Sequence, residues 1–507
     1  MEGFDKELEQ YGIFAKNGIK SIQENNITLI NADIEKVDFN ILQKNKIEKL
    51  RIENSEIKNI IFAKENDINI HFTECTIKNH IFAREIDFNG IFIFLHCIFE
   101  KMVDFSCSNF NSIFSLYASK FNNEVRFVKT NFLTNQKEKI ENNSENEVIT
   151  NGFKEVIFLN KIYFSNLNFK SEVSFNFTRF EDMVLFEGVV FSNNKNHFSH
   201  TEFNNIKIIS STEQNVKQSY FFEHSIFKGI TNFQDLKIEN LEFKDTVFNN
   251  IVVFDSTILD NKPKFTNCTF SNQFNIKHDC IQYDYNELKE KSKNTYNEFL
   301  NFRDLFRKLK SNRIAHHNLI DASELRTQEL YARELELKHK ENKNLKDTIE
   351  QWQLFFYRKL CDHHTDLILN VKWLATTITV FLCLYFFSKY GLNFQHFINE
   401  YNNNSIIKYI NINFIYKFES YNGFIFIFYT YILIFMLWNV FRIFFSFAVI
   451  LCCIINQPKL IFGIANLIGD NSYNAFENLL ITIYTLIAGL IIFSLQKTAR
   501  KNTIIPN

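Results

Sequence analysis

The feature that most constrains this chain is a rhythm of large apolar residues that recur alternately five and six positions apart. An amphipathic helix places apolar residues at i, i+3, i+4 and i+7, and a strand places them at every second position, so neither element explains the rhythm. A chain that turns a corner after every short side does explain it. Because one coil cannot bury its own apolar residues, the spacing predicts stacked coils that share a continuous core.

Phenylalanine supplies most of the inward positions, and the chain contains 60 Phe among 507 residues. Leu116 and Leu259 fill two further positions of the same rhythm. The predicted structural core consists of Phe94, Phe99, Phe105, Phe110, Phe121, Phe127, Phe132, Phe164, Phe169, Phe175, Phe180, Phe186, Phe191, Phe222, Phe227, Phe233, Phe248, Phe254, Phe265 and Phe270.

The residue two positions before each core residue is also patterned. It is often β-branched, as at Val103, or small, as at Ser108 and Thr130, and the unit reads V-x-F-x-x-[STC]-x-F-x-x-x. Side chains of a strand alternate, so this residue also points inward, where a small polar group can bond to neighbouring backbone. Cys75 and Cys97 are two repeats apart, and a four-sided coil would stack one above the other.

This two-level pattern resembles the pentapeptide-repeat family, specifically its Phe-rich variant with alternating spacing. The resemblance covers residues 55–280, and Asn31–Ile34 is a loose echo of the family's more common repeat. It implies a right-handed quadrilateral β-helix, a β-solenoid of roughly ten coils and roughly 50 Å. It also implies a binding or scaffold role, and it brings no catalytic residue.

Composition shifts divide the rest of the chain. Residues 1–54 are predicted to be an irregular N-terminal region or a cap, and 55–280 the β-helix, with a polar loop at 135–151. This loop is either a tolerated insertion or a partner-binding finger. A second, shorter interruption is predicted at Thr212–Gln218.

Residues 281–362 are predicted to form a charged α-helical linker. The pattern predicts a break at Ser311–Asn312, a helix over Leu319–Lys340 with Glu329–Arg333 and Glu334–Lys338 pairs, and another from Leu345 toward Leu360. The linker either caps the open end of the solenoid or forms a coiled-coil assembly surface, for which no sustained heptad array is present.

Residues 363–507 are predicted to form a C-terminal bundle of transmembrane helices. Four apolar segments are expected, with three as the alternative, at about 367–387, 424–440, 443–455 and 479–495. Arg442 lies between the middle two segments, either at a turn or as an intramembrane functional residue.

The segment Met1–Lys20 lacks an apolar core of signal-peptide length, and the last segment ends in a basic cluster at Lys497, Arg500 and Lys501. We therefore expect an integral membrane protein with the N-terminal solenoid and the C-terminus in the cytoplasm. The resemblance to membrane-anchored bacterial members of the family implies the bacterial inner membrane.

Motifs that carry chemistry are missing from the sequence: it contains no phosphate-binding loop, dinucleotide fingerprint, zinc-protease helix or nucleophile elbow. The adjacent pairs His316–His317 and His363–His364 would point in different directions on a helix and make no ready chelate. We therefore predict no enzyme, no catalytic residue, no cofactor and no metal.

Residues 51–280 carry 29 acidic and 24 basic residues, a balance that does not imitate a nucleic-acid backbone, so no nucleic-acid partner is expected. The predicted function is a non-enzymatic, membrane-anchored scaffold that presents a protein-binding surface on the solenoid. The alternative is an ion channel or transporter regulated by the solenoid. The sequence leaves the oligomeric state open.

Overall fold

The computed structural model describes residues 4–133, 138–142, 145–149, 151–170, 172–210, 217–271, 273–291, 295–390, 450 and 473–499. These residues divide into two compact units, one within 1–293 and 297–321 and the other within 294–296 and 322–507. The first unit is built almost entirely from short strands, and the second from long helices.

The strands of the first unit are mostly two to five residues long. In chain order they are β1 (Ile13–Lys16), β2 (Ile19–Gln23), β3 (Asn26–Ile30), β4 (Asp33–Asp38), β5 (Lys49–Glu53), β6 (Glu56–Ile61), β7 (Glu65–Asn66), β8 (Asn69–Thr73), β9 (Thr76–Ile77), β10 (Ile81–Phe82), β11 (Asp87–Phe88), β12 (Phe92–Leu95), β13 (Ile98–Phe99), β14 (Val103–Asp104), β15 (Asn109–Phe110), β16 (Phe114–Tyr117), β17 (Lys120–Phe121), β18 (Val125–Val128), β19 (Asn131–Phe132), β20 (Glu138–Asn142), β21 (Glu145–Ile149), β22 (Ile157–Phe158), β23 (Ile162–Ser165), β24 (Asn168–Phe169), β25 (Arg179–Glu187), β26 (Lys195–Ser199), β27 (Glu202–Ile209), β28 (Gln218–Glu223), β29 (Ile226–Phe227), β30 (Thr231–Asn232), β31 (Lys237–Lys244), β32 (Val247–Phe248), β33 (Val252–Val253), β34 (Ile258–Leu259), β35 (Lys264–Thr266) and β36 (Phe274–Asn275).

Four strands make one coil, as β12 to β15 illustrate. The next strand, β16, pairs in parallel with β12 and places Phe114 beside Phe92, and β17 pairs in the same way with β13. The chain thus passes four sides in 22 residues and returns above its starting point. The β-solenoid predicted from the alternating spacing is confirmed, with about ten turns.

Stacked phenylalanine rings fill the interior in four ladders, one on each side of the coil. In the longest ladder, neighbouring ring centroids lie 4.3 to 6.0 Å apart, within the range that favours aromatic pairs. The predicted core phenylalanines are buried except Phe270, which is half-buried in the last coil. The ladders run through Phe99, Phe121, Phe158, Phe180, Phe203, Phe227, Phe248 and Phe270; Phe153, Phe175, Phe198, Phe222, Phe243 and Phe265; Phe105, Phe127, Phe164 and Phe186; and Phe88, Phe110, Phe132, Phe169 and Phe191.

Small polar side chains lie beside the rings and bond to the coil below. The Ser108 hydroxyl donates to the carbonyl of Ala83 at 2.7 Å, and the Thr201 hydroxyl donates to that of Phe175 at 3.0 Å. Cys97 lies one coil above Cys75, where its thiol is 3.5 Å from the carbonyl of Phe72. These side chains join successive coils and pair their own polar groups in the core.

Parallel stacking begins at β3, which pairs with β5, while β4 pairs with β6. Below this first level, β1 and β2 pair antiparallel with β4 and β3, and α1 (Lys6–Gln10) and α2 (Phe39–Lys44) lie nearby in the chain. Within the predicted polar loop, β20 and β21 form a two-stranded antiparallel hairpin of their own.

Helices α3 (Tyr285–Lys291) and α4 (Tyr296–Ala315) follow the last coil. The Lys308 ammonium of α4 donates to the carbonyl of Cys268, and the Asn312 amide donates to that of Ser271, each at 2.8 Å. α4 therefore lies against the last coil. The predicted break at Ser311–Asn312 is wrong, because both side chains lie in a helix that these contacts hold continuous to Ala315.

The second unit contains α5 (Leu319–His339), α6 (Leu345–Cys361), α7 (Leu367–Tyr390) and α8 (Ala475–Ala499). Rings of Phe381 and Tyr484 stack 4.0 Å apart where α7 packs on α8. Two ion pairs join α5 to α6: Arg333 bonds to Glu350 at 2.9 Å and Arg358 to Glu334 at 2.8 Å. Glu334 and Arg333 thus pair between helices, and Arg333 also bonds to Glu336 within α5 at 2.7 Å. The predicted Glu329–Arg333 and Glu334–Lys338 pairs stay predictions.

Two helices of this unit, over Leu367–Tyr385 and Ala475–Ala499, are long and apolar enough to cross a membrane. They coincide with the first and last predicted segments. The predicted segments 424–440 and 443–455, together with Arg442, lie outside the described residues apart from residue 450.

Candidate interaction surface on the solenoid

Corners of the solenoid repeat a conformation that non-glycine residues rarely adopt. At one corner, the residue directly before the buried small side chain has a positive φ in coil after coil. The residues of this corner are Asn31, Asn54, Glu74, His96, Ala118, Glu155, Phe177, His200, His224, Asp245 and Asn267, with φ between 44° and 61°. Asparagine and aspartate tolerate this region, whereas bulkier residues are strained in it.

Phe177 is the most unusual member of this corner. Its backbone has a φ of 59°, and its side chain is 49% exposed although the interior of the same coil consists of phenylalanine. A large apolar residue therefore carries backbone strain and gains little burial in return. The fold sets this conformation at every coil, but it does not call for a large apolar residue there, which is a reason to look for function at that position.

Rings continue from Phe177 along the same corner. The Phe177 ring stacks on His200 with a centroid separation of 4.5 Å, and His200 stacks on His224 at 4.7 Å. Ser199 holds His200 through a 2.9 Å contact between its hydroxyl and Nδ1. We call Phe177, His200 and His224 the ring corner; it is an exposed row of three aromatic side chains.

Charged side chains border the ring corner. The carboxylate of Asp245 lies 3.8 Å from Nδ1 of His224, and that of Glu223 lies 3.9 Å from Nε2. The Lys244 ammonium bonds to Glu223 and lowers the pKa of that carboxyl. The flat rings thus have acidic groups at one end of the row.

The same corner carries a second, shorter aromatic pair nearer the N-terminus. His96 meets Tyr117 edge to face with a centroid separation of 5.6 Å, and the Lys154 ammonium lies 4.9 Å above the Tyr117 ring. The Tyr117 hydroxyl donates to Glu155 at 3.2 Å. Ala118 and Glu155 separate this pair from the ring corner, so the two form distinct patches on one edge.

Another side of the solenoid offers a contrasting surface of amide ladders. Asn89 donates to Asp67 and Asn111 donates to Asn89, each at 2.7 Å, one step per coil. A parallel ladder runs from Asp87 through Asn109. These side chains bond to one another along the rod, whereas the stacked side chains of the ring corner are exposed to solvent.

Chemically, the ring corner is suited to binding and not to catalysis. Among the residues that the structure describes, no group of three or more His, Cys, Asp or Glu side chains is arranged to hold a metal ion. Exposed aromatic side chains offer apolar surface to the side chains of a partner. Exposed aromatic anchors of this kind contribute most of the binding energy in protein interfaces.

Sequence reasoning predicted the interior phenylalanines and missed the ring corner. The core phenylalanines are buried and unavailable to a partner, and Arg442 lies outside the described residues. A signal existed: Phe177, His200 and His224 each stand immediately before the small residue of the repeat unit. Reading that position down the repeats would have collected the whole corner.

Comparison with known proteins adds no relative: no protein family, no curated protein and no solved structure matches the chain.

Proposed function

We propose that the protein is a non-enzymatic scaffold that binds a protein partner along the ring corner and is held at a membrane by its apolar helices. The observation that carries the proposal is Phe177, an exposed aromatic residue in a strained backbone conformation, continued by two stacked histidine rings. The core gives the solenoid its fold without these side chains. Their exposed position makes them available for contact with another molecule.

The membrane part of the proposal is supported by the surface of α7 and α8. Beyond the contact between them, these helices expose large apolar side chains, including Leu384, Leu486 and Phe493, of which Leu486 is 65% exposed. Core helices of soluble proteins bury most of such surface. A lipid environment removes it from water.

Helix α6 supports the same placement. Its exposed apolar residues Leu345, Ile349, Trp352 and Phe356 recur at helical spacing, and Trp352 is 68% exposed. The other face of α6 carries the ion pairs to α5. Helices with one apolar face that includes Trp lie in the interface of a bilayer.

Site-specific photo-crosslinking in cells tests the partner. A photoreactive amino acid is placed singly at Phe177, His200 or His224, and at the control positions Asn89 and Asn111 on the amide ladder. We expect one adduct of the same mass from the three corner positions and none from the controls. Equal adducts from corner and ladder, or none from any position, would contradict the proposal.

Phe177→Gly separates binding from folding. Glycine adopts the left-handed conformation without strain, so the variant is expected to fold at least as stably as the original chain. It removes the exposed ring, and we expect the adduct at His200 to fall by at least tenfold. An unchanged adduct would show that the ring takes no part in binding.

The alternative of an ion channel or transporter regulated by the solenoid stays a prediction. Its principal residue, Arg442, and the two middle segments lie outside the described residues.

A further inference from the structure

A cavity of about 320 Å³ lies within the helical unit. Its walls come from α5, α6, the short turn that follows α6, and the last turn of α8. The side chains that matter for its chemistry are Arg326, Gln353, His363, His364 and Lys497. Four of these five side chains carry a positive charge or a ring N–H.

The turn after α6 is the most strained backbone segment of the helical unit. Asp362, His363 and His364 have φ values of 48°, 54° and 73°, so three consecutive non-glycine residues are left-handed. Such residues normally occur singly. The surroundings hold the turn in place: the Tyr331 hydroxyl donates to one oxygen of Asp362, and the Thr365 hydroxyl lies 3.2 Å from the other. Strain that is held this firmly marks functional sites.

His363 is buried without a hydrogen-bond partner for one of its ring nitrogens. Its side chain lines the cavity, the residue is only 7% exposed, and Nε2 has no partner among the described residues. Burial, together with the charges of Arg358 and Arg326, lowers the pKa of His363 to about 3. The ring is therefore neutral at pH 7. A buried polar atom without a partner costs free energy unless a ligand satisfies it.

His364 is held by the end of α8. Its Nδ1 lies 3.3 Å from the Ser494 hydroxyl, which in turn accepts from the Asn370 amide at 3.1 Å. The same Ser494 hydroxyl donates to the Cys361 thiol at 3.2 Å, and the Thr498 hydroxyl lies 3.4 Å from Nδ1, so these neighbours fix the position of the ring. Burial and the charge of Lys497 lower the pKa of His364 to about 4. The neutral ring is thus held in a fixed position beside the cavity.

The cavity has a positive balance of charge. Arg326 and Lys497 line it, and the one carboxylate in its wall, Glu350, is already engaged by Arg333 through contacts of 2.9 and 3.0 Å. An anion with several acceptor oxygens matches two cations together with two neutral imidazole rings, each of which has one N–H to donate. Phosphate carries that charge and those oxygens.

We propose that this cavity binds a phosphate group, contacted by Arg326, Lys497 and the two histidines of the left-handed turn. The phosphate can belong to a lipid headgroup or to a small soluble anion. The lipid source is favoured because α7 begins at Leu367 and α8 ends at Ala499, next to the cavity. That choice of source rests on the membrane placement proposed above, whereas the phosphate site itself does not.

Equilibrium binding to the full-length protein in detergent tests the site, with native mass spectrometry as the readout. The probes are dioctanoyl phosphatidic acid, dioctanoyl phosphatidylcholine and inorganic phosphate. Arg326→Gln and Lys497→Gln each remove one cation from the cavity. Lys346→Gln removes an exposed cation near the start of α6, outside the cavity, and is the matched control.

We expect phosphatidic acid to bind the original chain more tightly than phosphatidylcholine. Each cavity variant should weaken phosphatidic acid binding roughly tenfold, as expected for losing a charged hydrogen bond, while Lys346→Gln leaves it unchanged. Inorganic phosphate that binds as tightly, with the same dependence on the variants, would support the site and assign it to a soluble anion.

The proposal is overturned if no phosphate probe binds the original chain, or if Lys346→Gln weakens binding as much as the cavity variants. Thermal melting without ligand checks that each variant is folded, and Arg326→Lys should restore part of the binding. The inorganic phosphate arm needs no bilayer, so a failed membrane placement and a failed phosphate site give different results.

Discussion

The solenoid and the helical unit differ in how their buried polar groups are paired. In the solenoid, buried hydroxyls and thiols reach carbonyls of the coil below, and one arrangement recurs from coil to coil. In the helical unit, charged pairs such as Glu334 with Arg358 are buried, and each contact occurs once. Repetition spreads the buried polar contacts of the first region over many coils, whereas the second region depends on a few particular polar pairs.

The largest expected effect tests the shared core. Phe127 is fully buried and its ring lies 5.2 Å from Phe105 and 5.5 Å from Phe164. Phe127→Ala is expected to lower the free energy of unfolding by about 4 kcal/mol, because it leaves a cavity in the ladder. Hydrogen exchange should show that amides of the coils on both sides lose protection, whereas amides of α5 and α6 keep theirs.

Phe270→Ala is the matched control, since Phe270 is half-buried in the last coil. Phe270→Ala should lower the free energy of unfolding by less than half as much as Phe127→Ala. Equal losses at both positions would contradict the view that each coil depends on the coils above and below it.

A buried ion pair tests the helical unit. Glu334 is 4% exposed and bonds to Arg358 through two contacts of 2.8 Å. Arg358→Met is expected to cost about 3 kcal/mol, because it leaves a buried carboxylate without its partner. The double variant Arg358→Met, Glu334→Met should recover most of this loss in a thermal denaturation series. A double variant as unstable as the single one would show that the loss comes from packing.

These two regions also differ in what the sequence could predict. The alternating spacing of five and six residues between core phenylalanines predicted the coil, together with the small or β-branched residue two positions earlier. Both signals are readable because the pleat of a strand fixes which side chains point inward. Corner conformations carried no comparable signal: Asn31 suits a left-handed residue, but Glu74 and Ala118 do not. The contact between His364 and Ser494 joins residues 130 positions apart, with no repeat to set their register.

Acidification should affect the helical unit through His363. Its pKa is about 3 in the folded protein against 6.5 for the unfolded chain, so the unfolded state takes up a proton first as the pH falls. Stability is therefore complete above pH 6.5 and is lost progressively toward pH 3. We expect a fall of about 2 kcal/mol between pH 7 and pH 5 from this group.

Denaturant titrations at the two pH values measure this fall, with hydrogen exchange assigning it to α5 and α6. His363→Gln removes one of the two histidines of the turn and should reduce the dependence by about half, because the pKa of His364 is also lowered, to about 4, and His364 still titrates in this range. A slope in His363→Gln equal to that of the original chain would assign the pH dependence to other groups.

The smallest expected effect is a gain. Lys129 stands at a second corner of the coil with a φ of 54° and an exposed side chain. Lys129→Gly should raise the free energy of unfolding by about 1 kcal/mol, since glycine adopts this conformation without strain. Val128→Gly, one residue earlier in β18, should instead lower it by a similar amount. Changes of the same sign at both positions would show that the corner conformation costs nothing.

A coil of 22 residues adds one strand spacing, about 4.8 Å, to the length of the rod, or about 0.2 Å per residue. A helix gains about 1.5 Å per residue, so the solenoid lengthens far more slowly with each residue, but by an equal step with each coil. Duplication or loss of one coil-length segment shifts all the following coils by one strand spacing along the rod. Every other coil keeps the same kind of neighbour. Evolution can thus change the height at which Phe177 and its histidines stand without redesigning a single contact, and related chains of different length would present the same edge to partners of different size.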